Sequence, residues 1–210
     1  MRITGGIHRS RALRAPRGEE TRPTSDRVRE ALFSILEHKG VLDRARVLDL
    51  YAGTGALALE AISRGATTAV LVESSARALA AIRANVASLG ASAQTRLIAG
   101  DVSRAVHRIA AEGPFDLVMA DPPWALVQDG TPQKVLSRLG DAGAFRNGAL
   151  AILEHAVRDR AADIERVEGA EPIETRIYGD TALTFFKIGI LRGAGSLTAT
   201  LPSTDQSPTR

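Results

Sequence analysis

The sequence predicts an α/β fold on a mostly parallel seven-stranded sheet, closed by a C-terminal antiparallel hairpin and preceded by a small N-terminal extension. Three observations predict it. Short apolar runs alternate with stretches of helical period and glycine stops, which is the signature of successive β-α-β units. Four of those runs deliver an acid at or near their ends, Asp49, Glu73, Asp101 and Asp121, and the C-terminal edge of an open α/β sheet is its ligand edge. The last two runs, residues 173–178 and 182–188, are separated only by Gly179, Asp180 and Thr181, a tight turn that joins antiparallel neighbours.

Composition bounds what such a fold can do. At 210 residues with 44% hydrophobic residues, the chain suits one well-buried domain. No stretch has the length of a bilayer span, and the basic N-terminus lacks a following apolar core. Neither a membrane helix nor a secretory signal is therefore expected, and a cytoplasmic location is. With no cysteine, disulfides, thiolate metal sites and a cysteine nucleophile are excluded. Histidines 8, 38, 107 and 155 show no metal-ligand spacing, so no metal is expected. A monomer is the default, since nothing marks a large apolar interface.

Charge is unevenly spread. Between Met1 and Arg29 eight arginines face three acids, a surplus of five, whereas the whole chain carries only +3. Residues 1–24 read as a basic arm or β-hairpin around Gly5 and Gly6, and Arg2, Arg9, Arg11, Arg14, Arg22 and Arg27 are its candidates for holding a nucleic acid backbone. A guanidinium fork pairs with phosphate through two hydrogen bonds. Solvated surface arginines are the plain alternative, which explains their number better than their clustering.

The main domain is expected over residues 25–191. Thr24 or Ser25 can cap a helix carrying Val28, Leu32, Ile35 and Leu36 on one stripe. Residues 46–51 form the next strand, followed by Ala52, Gly53, Thr54, Gly55 and the helical run 56–63. The two glycines allow positive φ and let a ligand lie against bare backbone, and the free amides at the helix start favour an anion. Gly53 to Ala58 formally matches G-x-G-x-x-A, so a dinucleotide such as NAD is a live alternative. Glu73 closes the strand 68–72, 18 residues beyond Gly55, where it can accept both ribose hydroxyl protons of a nucleoside cofactor. A helix over 75–89 turns Leu79, Ile82, Val86 and Leu89 inward. Strand 94–98 then brings Asp101 and Val102 to the edge, the acid to accept from an adenine amino group and the Val102 amide to donate to the ring. A short helix, 103–111, leads to the strand 115–120.

That strand ends in Asp121, Pro122, Pro123 and Trp124. Proline has no amide proton and a fixed φ, so the pair holds an extended loop rich in acceptors. An acid, a rigid carbonyl and an aromatic face suit a flat base with an exocyclic amine, stacked on Trp124 with its amine protons aimed at Asp121 and the Pro122 carbonyl. Residues 125–130 read as a loop able to close over substrate. Thr131 and Pro132 open a helix, residues 149–154 form a fifth strand, and residues 192–210 a mobile tail.

These motifs resemble known ones. Asp121-Pro122-Pro123-Trp124 is similar to the catalytic motif of methyltransferases acting on planar amino groups. Asp49-x-Tyr51-Ala52-Gly53-Thr54-Gly55 resembles the first motif of S-adenosylmethionine enzymes, in which the glycine turn and Asp49 hold the methionine end. The terminal hairpin resembles that of the Rossmann-like class I methyltransferase fold. Most specifically, Arg2-Ile3-Thr4-Gly5-Gly6, Arg9-Ser10-Arg11, Leu13, Pro16 and the run Arg22 to Phe33 resemble the opening of the D-type bacterial 16S rRNA guanine-N2 methyltransferases, over Arg2 to about Lys187. That family commonly has phenylalanine at the position of Trp124. The resemblance implies S-adenosylmethionine as cofactor and one guanine of 16S rRNA in the small ribosomal subunit as substrate. Two other readings are compatible with the residues: an exocyclic amine of DNA as substrate, and a noncatalytic RNA-binding assembly factor on the same fold.

Overall fold

The computed structural model describes residues 1–15, 26–159 and 161–189. Seven strands form one sheet in the order β3-β2-β1-β4-β5-β7-β6, with β1 Arg46–Leu50, β2 Thr68–Glu73, β3 Thr95–Ala99, β4 Phe115–Ala120, β5 Phe145–Ala156, β6 Ala170–Tyr178 and β7 Thr181–Ile188. The first five run parallel, and β7 enters antiparallel between β5 and β6. The strand order reverses between β1 and β4, which opens a crevice at their C-terminal ends.

Both faces of the sheet are covered, which is why the central strands are apolar almost throughout. On one face Val47, Leu71, Leu117, Met119 and Ile152 pack against α1 (Asp26–His38), α2 (Ala56–Ser63) and α3 (Ala76–Leu89). On the other, Leu48, Val70, Val118 and Leu153 pack against α4 (Val106–Ala111), α5 (Trp124–Gln128), α6 (Thr131–Asp141) and α7 (Ala161–Ile164). Local chemistry sets the ends of α3: the Ser75 hydroxyl accepts from the Ala78 amide, and Gly90 closes the helix at φ 67°. The inward residues expected on it, Leu79, Ile82, Val86 and Leu89, are all buried. No helix among the described residues is long and apolar enough to cross a membrane.

One expected loop is a helix. Residues 124–128 form α5, because Pro123 sits at the N-cap, its carbonyl accepts from the Leu126 amide at 2.9 Å, and Val127 is buried beneath. Five residues are too few for a helical period to show in the sequence. The fifth strand is also longer than expected. The helix caps proposed at Thr24 and Ser25, Arg22, and the tail from residue 192 lie outside the described residues.

The N-terminal segment is a hairpin with one bridge between Arg2 and Ala12 and a 3-10 turn over Gly6–His8. Its seat is α2. The Glu60 carboxylate accepts from the Thr4 amide, the Thr4 hydroxyl and the Gly5 amide, each at 2.8 Å, and from Arg64 at 2.8 Å. Arg29, fully buried, lies 3.5 Å from the same carboxylate and bonds Asp26 and the Arg2 carbonyl. Gly6 has φ 73°, and a Cβ there would stand 1.8 Å from the Ser63 carbonyl oxygen. Only glycine fits so close to a helix backbone in that conformation.

Candidate active site

The site is built at the crevice between β1 and β4. After β1 the chain turns through Tyr51, Gly53 and Gly55, all with positive φ (63°, 55° and 76°). Gly55 is needed for helix-on-strand packing, since a Cβ would come 2.9 Å from Leu71 Cδ2. At Gly53 nothing but the Tyr51 carbonyl lies within 4.0 Å of where a Cβ would be, so its backbone is bare toward a ligand. The turn is anchored on three sides. Glu73 Oε2 accepts from the Gly53 amide at 2.8 Å. Asp49 Oδ2 accepts from the Ala58 amide at 3.0 Å. Asn85, fully buried on α3, donates to the Thr54 carbonyl at 2.9 Å and the Arg14 carbonyl at 3.0 Å, and accepts from the Arg14 amide at 2.7 Å. That one amide ties the arm to the glycine turn, and the Thr54 hydroxyl adds a 3.4 Å contact to Met1 Sδ.

Two groups are electrostatically poised. Burial, followed by the neighbouring charges of Asp121 and Glu73, pushes the Asp49 carboxyl up to about 8, against the opposing pull of the Ala58 amide. Its Oδ1 has no hydrogen-bond partner among the described residues. Such an oxygen is costly unless a ligand satisfies it. Tyr51 is pushed up to about 12 by burial and then by Asp101 and Asp129, and its hydroxyl too lacks a protein partner among the described residues.

Glu73 is more committed than its sequence position implies. Its Oε1 also accepts from the Ser74 and Ser75 amides at 2.7 Å. Three of about four lone-pair sites on the carboxylate are used, so accepting from both ribose hydroxyls requires one amide to let go. Asp101 is exposed and accepts from the Arg104 amide at 3.1 Å, while Val102 is buried beside it. Across the crevice Asp121 is half-buried, Pro122 buried and Pro123 exposed. Since the Pro123 carbonyl is taken by Leu126, the Pro122 carbonyl is the acceptor left for a substrate. Trp124 is half-buried at the start of α5, with the Arg158 guanidinium 5.1 Å from its ring centroid.

The structure thus brings Glu73 and Asp121 close enough to Asp49 to raise the cost of its charge. The arm's candidates divide. Arg2, Arg9, Arg11, Arg14 and Arg27 are exposed, with Arg11 held by a 2.7 Å bond to the Ser88 carbonyl on α3. Arg29, counted in the basic cluster, is an internal strut. Glu60, Asn85 and Arg158 went unnoticed in the sequence. The first two had a local signal: Glu60 is the only charge in α2, and Asn85 interrupts the inward stripe of α3. Among the described residues no cluster is placed to hold a metal ion.

A parallel sheet with a last strand inserted antiparallel, a glycine turn after β1 and acids along the C-terminal edge define the class: a Rossmann-like fold of the class I methyltransferase type. Comparison supplies the family. The family model described as Conserved hypothetical protein 95 matches residues 1–187, and the chain belongs to that family, the small-subunit methyltransferase D family. Ribosomal RNA small subunit methyltransferase D of Escherichia coli K12 is 37% identical over 160 residues, 76% of each chain. Among solved structures, the YhhF protein of Escherichia coli matches with a TM-score of 0.75 at 31% identity, over 90% of this chain and 98% of its own. A hypothetical protein of Thermus thermophilus matches with a TM-score of 0.71 at 32% identity, over 88% and 98%.

Proposed function

We propose that the chain transfers a methyl group from S-adenosylmethionine to the exocyclic N2 amine of a guanine in the 16S rRNA of the small ribosomal subunit. The observation that carries this reading is the meeting of the Asp49 glycine turn and the Asp121-Pro122-Pro123-Trp124 loop across one crevice. The name of the Escherichia coli relative supports the substrate. The residues fit the donor. The orphaned Asp49 Oδ1 suits a cationic ligand end, Gly53 offers bare backbone, Glu73 one ribose contact at once, and Asp101 with Val102 an adenine edge.

Bound there, S-adenosylmethionine supplies an electrophilic methyl group. Guanine N2 is a weak nucleophile because its lone pair is delocalised into the ring. Asp121 and the Pro122 carbonyl accept hydrogen bonds from the amine and draw it toward tetrahedral geometry, the Asp121 carboxylate takes the proton that N2 sheds on methylation, and Trp124 holds the extruded base by stacking. Positioning and electrostatics therefore supply most of the acceleration. With no cysteine in the chain, an adduct mechanism at cytosine C5 has no nucleophile. The arm arginines hold the RNA backbone. Calorimetry with S-adenosylmethionine and, in parallel, NAD tests the donor. Binding of NAD instead would overturn it, and failure to bind either would favour a noncatalytic assembly factor.

A further inference from the structure

We infer that Arg158 is a second RNA-contacting element of the site, holding a phosphate of the nucleotide whose base stacks on Trp124; this rests on the function proposed above. The guanidinium lies 5.1 Å from the Trp124 ring centroid, within the range of a cation over an aromatic face. Strands β4 and β5 are parallel neighbours with Ala120 opposite Leu153, so Asp121 to Trp124 and the turn after β5 leave the sheet at the same edge.

The backbone that presents Arg158 is fixed while its side chain is exposed. The Ala156 amide donates to Asp159 Oδ2 at 2.9 Å, the Asp159 amide to the Ala156 carbonyl at 3.0 Å, and the Val157 amide to the Asp180 carbonyl at 3.0 Å. Beneath, His155 Nε2 is 2.9 Å from the Thr184 hydroxyl. A rigid turn holding a planar cation beside a stacking ring suits an anion attached to a flat base.

Charge gives the reason for a cation here. Glu73, Asp101, Asp121 and Asp129 lie along this edge, and acids repel an incoming phosphate. The arm arginines cannot offset that on this side. The arm sits on α2 and α3, through Glu60, Ser63, Asn85 and Ser88, on the β1 to β3 flank, whereas Arg158 stands on the β5 flank. RNA is then gripped from both sides of the crevice, with the reactive base between.

The test compares the wild type with Arg158→Ala and Arg158→Lys in full-length protein. Readouts are the KM for unmodified small ribosomal subunits at several salt concentrations, the affinity for S-adenosylmethionine, and the emission of Trp124, the chain's single tryptophan. Loss of one phosphate contact should raise the KM roughly tenfold and lower the slope of log KM against log salt by about one, with donor affinity unchanged. Arg158→Lys should keep the slope, and Arg158→Ala should shift the tryptophan emission. A wild-type salt slope in Arg158→Ala, whatever its KM, would reduce Arg158 to a prop for the ring and overturn the inference. A wild-type protein inactive on subunits would instead count against the function on which it rests.

Discussion

Replacing Asp49 with asparagine should stabilise the ligand-free protein at neutral pH while weakening its hold on the methyl donor. The buried carboxyl is raised from 3.8 to about 8, so at pH 7 the unfolded chain carries it ionised and the folded chain neutral. Keeping that proton costs the folded state on the order of 4 kcal/mol. The sign follows from the order of titration. Below about pH 4 both states are protonated and the cost vanishes; it grows as pH rises toward 8 and is constant above. Asparagine still offers a carbonyl oxygen to the Ala58 amide, but its NH2 stands where Oδ1 has no partner, at about 1–3 kcal/mol. The net gain is roughly 1–3 kcal/mol at pH 7. Urea unfolding without ligand at pH 5, 6.5 and 8 measures it. The two proteins should be close at pH 5, with the variant increasingly the more stable as pH rises. A difference that stays flat from pH 5 to 8 would refute the assigned titration. The same carboxyl predicts that wild-type donor affinity rises with pH between 5 and 7, by up to tenfold per unit.

Asp121→Ala should lose at least about a hundredfold in kcat while donor affinity, read by calorimetry, is kept; near-normal turnover would remove the role given to that acid. Gly6→Ala places a methyl against the Ser63 carbonyl at positive φ, and urea unfolding should show a loss of about 2 kcal/mol or more. Wild-type stability there would mean that the arm is not seated as described. Arg9→Gln combined with Arg11→Gln should raise the KM for small subunits severalfold and leave donor affinity alone, and an unchanged KM would reject the arm as a docking surface.

The sheet was legible because its strands are buried on both faces and therefore apolar almost throughout, bounded by glycines at helix ends. So was the edge carrying Asp49, Glu73, Asp101 and Asp121, since strand ends are local features. What stayed hidden depends on distant partners. Arg29 looks like its exposed neighbours, and only folding sets it beside Glu60. Gly5 and Gly6 read as the centre of a basic arm or β-hairpin, and only the fold shows that they pack closely on α2, more than 50 residues away. The three amides on Glu73 depend on the conformation of the glycine turn and the start of α3, which spacing does not encode. Likewise Arg158 reaches Trp124 only because β4 and β5 are neighbours.

The most direct test of an amine-methylating site at this crevice is nucleoside mass spectrometry. The protein and S-adenosylmethionine are incubated separately with unmodified small ribosomal subunits, naked rRNA and duplex DNA. N2-methylguanosine formed mainly on subunits, and lost with Asp121→Ala, is the predicted result. A methylated amine in DNA alone would contradict the substrate, and no methylated nucleoside in any of the three would contradict the site itself.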